Sequence, residues 1–356
     1  CLQKNIMRRK LTFNKAINEA IFQSMSFDKK VICYGLGATD PRRVFYTTED
    51  LLEKFGNERV FDIPTSENAM TGIGIGLANL GSKVIFSHQR VDFSFLSMDQ
   101  IINSMSKWYY MFGGQKNLPI TLRLIIGRGW GQGPTHSQSY QSFFAKTPGL
   151  KVVMPSNPNN AKGLLLSSIQ DPDPVIFLEH RWLYELEDNV PKKIYFSQLG
   201  KCKKIKNGKD ITIVTMSYMT HEIKSMNKFF VENKISPEII DLITVSPLDI
   251  KSIYSSVRKT GKLLVLDTCH KSFSTGREII SRLIEKNKSV FKIEPLVLGM
   301  PDTPTPTSYS LTKNYYPSKK SIAKCISKML NIKKINLNSI PIVKEHDRPK
   351  EFLGPF

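Results

Sequence analysis

The chain has 356 residues, 40% of them hydrophobic, and is long enough for two domains that each bury a core of their own. No apolar stretch approaches the roughly 20 residues needed to cross a bilayer, and residues 1–10 lack the apolar segment of a secretory signal, so we expect neither a membrane protein nor a secreted one. The net charge of +20 is spread along the chain, and the aromatic residues do not interleave with basic runs, which argues against a nucleic-acid surface.

Cysteine usage indicates a reducing compartment. The five cysteines are odd in number and never form a C-x-x-C pair, which argues against a disulfide framework and against a zinc site. We therefore expect the protein in the cytoplasm or in an organelle matrix of mitochondrial or plastid type. The sequence begins with Cys1 rather than Met, so we expect a processed product or a fragment, with a trimmed transit peptide as one explanation.

Strands and helices alternate through the first 190 residues. The pattern predicts helices over 14–26, 66–80, 93–111 and 159–169, and strands over 31–37, 59–63, 83–87, 119–126, 151–155 and 174–179. Strands separated by helices form a mostly parallel sheet that is covered on both faces. We therefore predict a first α/β domain over 12–190.

A polar segment at 191–208 predicts a linker, and a second α/β series follows it over 209–330. Its predicted strands are 210–216, 238–242, 262–267 and 295–299, and its clearest helices are 249–258, 276–287 and 318–330. The predicted fold class is thus α/β, with two consecutive, mostly parallel sheet domains. The last segment, 331–356, is basic and then proline-containing, which predicts an arm or a disordered tail.

One carboxylate lies at a strand-to-helix corner. Residues 61–69, FDIPTSENA, place Glu67 just inside the start of a helix, and the hydroxyls of Thr65 and Ser66 predict a cap. The helix continues as MTGIGIGLANLG, and its interior glycines cost stability unless something packs close to the backbone. A lone glutamate in a first turn is most often only a partner for the helix dipole.

Two glycine-rich segments fail as nucleotide-binding loops. Gly72, Gly74 and Gly76 lie inside a predicted helix and lack the third glycine at dinucleotide spacing. The segment GRGWGQG at 127–133 lacks the Lys-Ser/Thr pair that completes a phosphate loop. Neither segment is therefore a Rossmann or a Walker signature.

His136 lies in GPTHSQS, a loop rich in glycine, serine and glutamine rather than an apolar face. This setting favours a proton donor or acceptor over a packed core histidine, because imidazole titrates near neutral pH. For the remaining histidines we expect structural or surface roles; they are His88, His180, His221, His270 and His346.

Taken in order, ten segments closely resemble the β subunit of thiamine-diphosphate-dependent 2-oxo acid dehydrogenases, the pyruvate and branched-chain family related to transketolase. They are ERVFDIPTSENAMTGIGIGLANLG, DFSFLSMDQIIN, PITLR, THSQS, PGLKVVMPSNPNNAKGLL, PVIFLEH, DITIV, IDLITVSPLDI, SVRKTGKLLVLD and PDTPTP. They span about 12–330 in the family's order and spacing. The resemblance implies a pyrimidine-binding domain followed by a transketolase C-terminal-like domain.

The resemblance implies a chemical role for Glu67. In the family, a glutamate at this position binds the pyrimidine ring nitrogen of thiamine diphosphate and drives the exocyclic amine into the imino form that deprotonates the thiazolium. The cofactor carries out the hard step, and the protein supplies orientation and one charge. Phe93 is implied to stack on the aminopyrimidine ring, although from the residues alone an ordinary core aromatic is the better reading.

The resemblance also implies partners. In the family, an α subunit completes a heterotetramer and supplies the diphosphate site, with a GDG motif and an asparagine that hold magnesium; this sequence contains no GDG. Together the subunits decarboxylate a 2-oxo acid and acylate a lipoyl carrier on an acyltransferase core. His136 is then expected to protonate the departing dithiolane sulfur or to orient the intermediate. We expect neither a nucleic acid nor a membrane as a partner.

A structural potassium ion is the last implication of the resemblance. The family holds it mainly with backbone carbonyls, at positions that match Ile120, Ser168, Ile169, Asp171 and Asp173. The residues alone equally allow a plain tight turn before a strand.

One departure bears on the substrate. Ser87 stands where many pyruvate-type members carry a glutamate, so the segment SHQRVDF is expected to tune a different pocket. Two alternatives stay open: a relative that passes the two-carbon unit to a different acceptor, of acetoin or biosynthetic type, and a non-catalytic scaffold paralogue. The joint presence of Glu67, Phe93 and His136 speaks against the scaffold.

Overall fold

A computed structural model describes residues 9–41, 43–127, 132–312 and 315–340. Within these ranges the strands form two mostly parallel sheets and one short antiparallel pair. The strands are β1 (Lys10–Thr12), β2 (Val31–Gly35), β3 (Val60–Phe61), β4 (Lys83–His88), β5 (Ile120–Ile126), β6 (Lys151–Val153), β7 (Val175–His180), β8 (Glu187–Asn189), β9 (Lys203–Lys206), β10 (Ile211–Thr215), β11 (Pro237–Asp241), β12 (Thr244–Ser246), β13 (Leu263–His270) and β14 (Leu296–Met300).

Helices connect the strands and cover the sheets. They are α1 (Phe13–Phe27), α2 (Arg43–Tyr46), α3 (Leu51–Phe55), α4 (Glu67–Asn79), α5 (Trp108–Met111), α6 (Gln141–Ala145), α7 (Pro158–Gln170), α8 (Tyr218–Ser225), α9 (Asn227–Glu232), α10 (Ile250–Thr260), α11 (Thr275–Lys286), α12 (Tyr309–Thr312) and α13 (Lys319–Met329). The short α2 is a left-handed turn, because its residues all have positive φ. Two 3₁₀ helices (Val91–Ser97 and Arg181–Leu183) and a π-helix (Asp99–Met105) complete the set.

The first sheet has the strand order β12–β6–β7–β5–β4–β2–β3. Its pairs are parallel except for β12 with β6, and β12 reaches this sheet from the second half of the chain. Alternate residues of β4 serve opposite faces: Ile85 packs with α1 and α7, whereas Phe86 packs with α4 and the π-helix. Helices therefore cover both faces, as the alternating sequence pattern predicts.

The second sheet has the order β14–β13–β10–β11–β9, and only β9 runs antiparallel to its neighbour. The predicted fold class, two mostly parallel α/β sheets in succession, is confirmed. One apolar core runs through the junction of the sheets, since Leu122 and Leu124 of β5 share a cluster with Val214 of β10 and Val265 of β13. The opposite face of the second sheet packs against α13.

Local sequence sets several helix ends. Asn157 caps α7 by accepting a hydrogen bond from the Asn160 amide at 2.9 Å, with Pro158 in the first helical position. Gly261 ends α10 at φ 70°, a conformation that glycine adopts without strain.

The predicted long helix over 93–111 is wrong. The structure has a 3₁₀ helix, a π-helix and the short α5 in its place. Serine hydroxyls compete with the helical pattern here: Ser94 Oγ donates to the Val91 carbonyl at 2.6 Å, and Ser106 Oγ donates to the Ile102 carbonyl at 2.8 Å.

Three other segments differ from the sequence pattern. The predicted strand over 59–63 is reduced to the two residues of β3. The predicted linker, 191–208, contains β9, which joins the edge of the second sheet. Residues 331–340 of the predicted tail pack against the second sheet, and Ile340 is buried there; residues 341–356 lie outside the described ranges.

Candidate active site

The carboxyl ends of the central strands of the first sheet gather the candidate residues. The parallel register places Gly35 of β2 beside Ser87 of β4, and Ser87 beside Arg123 of β5. The chain segments that leave β4 and β5 therefore emerge at the same edge. The first carries Phe93, and the second carries His136. This edge is where open parallel sheets bind ligands.

Glu67 is the first residue of α4 and is only 8% exposed. The predicted strand-to-helix corner is present, but Ser66, in the capping position, makes no side-chain cap hydrogen bond. The Glu67 backbone carbonyl accepts a hydrogen bond from Thr71 Oγ1 at 2.8 Å. Within the described ranges, no hydrogen bond or ion pair to its carboxylate is recorded. Its oxygens are not among the fully buried polar atoms that lack a partner, so the acid stays accessible and is suited to receive a donor from a ligand.

A close contact explains one glycine of α4. A Cβ on Gly74 would lie 2.4 Å from the Tyr34 hydroxyl, which donates to the Met70 carbonyl at 2.9 Å. Tyr34 is itself stacked between Phe61 and Phe86, with ring centroids 5.0 and 4.7 Å away. The expectation of a close approach to this helix is thus met at Gly74, whereas nothing lies within 4 Å of a Cβ on Gly76.

Phe93 and His136 are in direct contact. Their ring centroids are 5.3 Å apart with planes at 89°, an edge-to-face arrangement, and both side chains are half-buried. Nδ1 of His136 lies 2.9 Å from Thr135 Oγ1. The 3₁₀ helix of Phe93 also packs against α4, the helix that begins with Glu67. No hydrogen bond between Glu67 and His136 is recorded.

Five polar residues around this pair were not singled out from the sequence. Gln138 Nε2 donates to Asp92 Oδ1 at 2.5 Å, and the Tyr140 hydroxyl donates to Gln138 Oε1. Arg90 Nη2 donates to Gln132 Oε1. Burial raises the pKa of Asp92, although the hydrogen bond from Gln138 opposes that rise. The sequence signal for these residues is the pair of charges in SHQRVDF, the segment that is expected to tune the substrate pocket.

Ser87 belongs to a buried network rather than to the open cleft. Its hydroxyl accepts from Arg123 Nη1 at 3.1 Å, and Arg123 forms a two-pronged ion pair with Glu179 at 2.6 and 3.0 Å. The Tyr184 hydroxyl donates to the same Glu179 at 2.9 Å. Because Glu179 already balances the charge of the Arg123 guanidinium, the serine hydroxyl at position 87 completes its hydrogen bonds and no second carboxylate is needed.

The positions matched to potassium lie around one turn. Ser168 and Ile169 end α7, Asp171 and Asp173 lie in the turn before β7, and Ile120 begins the adjacent β5. Lys151 Nζ binds the carboxylates of Asp171 and Asp173 at 2.6 and 3.0 Å. One ammonium group thus pairs with both carboxylates and offsets half of their charge.

The junction between the sheets holds buried acids of a different kind. Asp241 accepts from Thr220 Oγ1 at 2.9 Å and from Ser156, which belongs to the first sheet domain. Burial raises the pKa of Asp241 to about 7. Asp267 accepts from Gln141 Nε2 at 2.7 Å across the same junction and from the Gly276 amide at 3.1 Å.

The other histidines have structural surroundings where they are described. Burial lowers the pKa of His88 to about 3, so it is neutral at pH 7. His180 is buried and stacks on Tyr218, with centroids 5.1 Å apart, and His270 Nδ1 lies 2.6 Å from the Pro301 carbonyl oxygen. His221 also lies beside Tyr218. His346 lies outside the described ranges.

Several general features concern the described ranges only. The cysteines there, Cys33, Cys202, Cys269 and Cys325, are free. No helix in those ranges combines the length and the apolar character that crossing a bilayer takes. The same residues hold no group of three or more His, Cys, Asp or Glu side chains arranged to bind a metal ion.

Known families match both halves of the chain. Residues 9–187 match the transketolase pyrimidine-binding domain, and residues 200–322 match the transketolase C-terminal domain. A split-gene transketolase, solved as an inactive β4 tetramer, superposes with a TM-score of 0.72 at 18% identity, covering 91% of this chain and 99% of that one. At that identity the superposition supports the fold alone.

Curated relatives are much closer in sequence. The β subunit of acetoin:2,6-dichlorophenolindophenol oxidoreductase from Cupriavidus necator is 37% identical over 334 residues, covering 91% of this chain and 98% of the relative. The pyruvate dehydrogenase E1 component subunit β of Gracilaria tenuistipitata is 39% identical over 299 residues (84% and 92%). The mitochondrial pyruvate dehydrogenase E1 subunit β-1 of Arabidopsis thaliana is 36% identical over 320 residues (89% and 88%).

Proposed function

The chain belongs to the transketolase-like family of β subunits of thiamine-diphosphate-dependent 2-oxo acid dehydrogenases, and from this premise we propose that it supplies one half of a shared active site. Membership confirms the resemblance that the sequence motifs indicated. We propose that, with an α subunit, it decarboxylates a 2-oxo acid and acylates a lipoyl carrier. The observation that carries the proposal is Glu67, a residue only 8% exposed at the ligand-binding edge of a parallel sheet, to whose carboxylate no donor is recorded among the described residues.

The residues present fit the aminopyrimidine half of the cofactor. When bound, thiamine diphosphate supplies an acidic thiazolium carbon that adds to the substrate carbonyl and takes up the electron pair released with carbon dioxide. Glu67 would hold a proton on the pyrimidine ring nitrogen, and burial strengthens such a hydrogen bond because the local dielectric is low. Phe93 would stack on the pyrimidine ring, in the segment that also contacts His136.

His136 has a separate task in this proposal. Its ring contact with Phe93 supports a place for the imidazole next to the bound cofactor. With Nδ1 engaged by Thr135, Nε2 is the nitrogen that would donate a proton to the departing dithiolane sulfur of the lipoyl arm. We therefore assign Glu67 to cofactor activation and His136 to acyl transfer.

A partner would supply the diphosphate and magnesium sites. The sequence contains no GDG motif, and the described ranges contain no metal-binding cluster of His, Cys, Asp or Glu. We therefore propose an α subunit that carries the GDG motif and a heterotetramer that docks on a lipoyl acyltransferase core. The chain should be inactive without that α subunit.

Two further proposals concern ions and location. We propose a structural potassium ion at the backbone carbonyls around Ile120, Ser168, Ile169, Asp171 and Asp173, since Lys151 already occupies the two carboxylates. We place the protein in the cytoplasm or in an organelle matrix, consistent with its free cysteines.

Reconstitution tests the function. The chain is purified with its α subunit and assayed with a panel of 2-oxo acids, using 2,6-dichlorophenolindophenol as electron acceptor. We expect cofactor-dependent decarboxylation of at least one oxo acid and its loss in the Glu67→Gln complex, with the exposed Glu278→Gln as the matched control. Decarboxylation at the wild-type rate in the Glu67→Gln complex would contradict the assignment.

Acetoin cleavage is the second candidate, because the Cupriavidus relative is matched over 98% of its length. The same complex is assayed with acetoin in place of the oxo acids. Turnover of acetoin without turnover of any oxo acid would replace the first proposal with the second, and Glu67 would keep its role in both.

A further inference from the structure

Two charged residues join the segment of Phe93 to the loop of His136. Arg90 and Asp92 precede Phe93, while Gln132 and Gln138 lie on either side of His136. Arg90 Nη2 donates to Gln132 Oε1, and Asp92 Oδ1 accepts from Gln138 Nε2 at 2.5 Å. The loop is thus held at both ends by side chains that flank the aromatic ring it contacts.

We propose that Arg90 and Asp92 are positioning residues that fix His136 over Phe93 for the acyl-transfer half of the reaction. The inference rests on the proposed function. It goes further in assigning two residues outside the cofactor contacts to one of the two half-reactions.

The pairing of these charges is unusual for purely structural residues. Arg90 is only 3% exposed, yet its recorded partner is a neutral amide oxygen, and no ion pair with Asp92 is recorded. Its Nη1 and the Oδ2 of Asp92 are buried without a recorded hydrogen-bond partner in the described ranges. Burial accordingly lowers the pKa of Arg90 to about 10. Burying opposite charges that bind loop glutamines instead of each other costs folding free energy. A role in positioning the loop explains why such an arrangement is kept.

The arrangement bears on proton donation by His136. In acyl transfer, one dithiolane sulfur bonds to the acyl carbon and the S–S bond breaks. The electron pair of the S–S bond passes to the second sulfur, which takes the proton from His136. The acyl carbon then gives up its bond to its carrier, which keeps that electron pair, while its hydroxyl group loses a proton and becomes the carbonyl. The acyl carbon is thus oxidised by two electrons as the disulfide is reduced. Such a transfer needs hydrogen-bond reach, and a misplacement of about 1 Å can lower a rate on the order of 10²-fold.

The test measures both half-reactions in the reconstituted α/β complex. Decarboxylation is followed with 2,6-dichlorophenolindophenol, and acyl transfer with a lipoylated carrier domain. We expect Arg90→Met and Asp92→Leu to lower acyl transfer by about 10-fold or more while decarboxylation changes far less. Asp92→Asn keeps the oxygen that Gln138 binds and should retain most of the transfer rate. Arg282→Met, at an exposed arginine of α11, is the matched control.

A double-mutant cycle isolates the contact. If Arg90 acts through Gln132, the losses from Arg90→Met and Gln132→Met should not add in the double variant. A readout independent of turnover is the rate at which diethylpyrocarbonate modifies His136 in the chain alone, measured by peptide mass spectrometry. We expect Arg90→Met to raise that rate and Arg282→Met to leave it unchanged.

The possible outcomes distinguish a failure of this inference from a failure of the proposed function. Equal loss of both half-reactions in Arg90→Met, or additive losses in the cycle, would overturn the positioning role while the proposed function stands. A wild-type complex that decarboxylates no oxo acid would contradict the proposed function, and the inference with it. Unchanged His136 modification in a folded Arg90→Met chain would likewise count against the positioning role.

Discussion

The ligand edge of the first sheet and the junction between the two sheets both bury acidic side chains, but they hold them differently. At the junction, Asp241 and Asp267 accept hydrogen bonds from hydroxyl, amide and backbone groups that reach across from other elements. Within the first sheet, Glu179 accepts hydrogen bonds from Arg123 and Tyr184. Glu67 is 8% exposed, compared with 0% for those three acids, and within the described ranges no donor to its carboxylate is recorded.

The difference separates structural acids from a functional one. A buried carboxylate costs folding free energy unless donors compensate it, and burial outweighs the donors of Asp241 and Asp267 because the pKa of both is raised. The Glu67 carboxylate has no donor within the described ranges and its oxygens are not fully buried, so it gains a donor only when a ligand binds. Replacing Glu179 and Glu67 each by its amide therefore distinguishes a structural acid from a functional one.

The largest effect is expected at Glu179. Glu179→Gln removes the charge that faces the Arg123 guanidinium, 1% exposed, and leaves that cation uncompensated. We expect a loss of about 3–5 kcal/mol in the free energy of unfolding, measured by urea denaturation of the isolated chain. A loss below about 1 kcal/mol would break the distinction, because Glu179 would then be no more structural than Glu67.

The helix of Glu67 offers a matched pair of glycines. Gly74→Ala would drive a methyl group into the Tyr34 hydroxyl, which two stacked rings hold in place, and we expect a loss of about 1–3 kcal/mol. In Gly76→Ala the added methyl group has no atom within 4 Å, so the higher helix propensity of alanine should raise the free energy of unfolding by up to about 1 kcal/mol. Thermal unfolding of both variants measures these effects. If both variants were more stable than wild type, the Tyr34 contact would not constrain this helix.

Asp241 should make the stability of the chain depend on pH. Burial raises its pKa to about 7, above the ordinary value of 3.8, so the folded chain binds this proton more tightly than the unfolded chain. Its contribution to stability is present below about pH 4 and is lost as pH rises to about 7. Asp241→Asn cannot titrate at this position. The free energy of unfolding of the variant relative to wild type should therefore rise by about 1–3 kcal/mol as the pH is raised from 4 to 8. A pH-independent difference between the two chains would contradict this assignment.

The smallest effect on folding is expected at Glu67. Because no donor to its carboxylate is recorded, Glu67→Gln should leave the free energy of unfolding of the isolated chain within about 0.5 kcal/mol of wild type, or slightly above it. The same urea titration used for Glu179→Gln measures it. A loss of several kcal/mol would place Glu67 with the structural acids.

Sequence reasoning reached the fold because it depends on local patterns, whereas Glu67 and Phe93 became site candidates through the family resemblance. The helix predicted over 14–26 is α1, and the corner before Glu67 lies at the predicted residue. The helix predicted over 93–111 was wrong because serine hydroxyls bind backbone carbonyls there, which a hydrophobic pattern does not reveal. The roles of the candidate residues remain predictions.

The supports of the site could not be predicted from spacing. Arg90 and Gln132 are 42 positions apart, and Asp92 and Gln138 are 46 apart, so only the sheet register brings them together. The pairing of Arg123 with Glu179 likewise follows from the neighbouring positions of β5 and β7.

The most direct test of Glu67 is deuterium exchange at the thiazolium carbon of thiamine diphosphate bound to the α/β complex, followed by quenched-flow NMR. Wild type and Glu67→Gln are compared at saturating cofactor and magnesium, without substrate. If the carboxylate activates the cofactor, exchange in the variant should be slower by about 10²-fold or more. Equal exchange rates in two complexes that bind the cofactor equally would contradict the account.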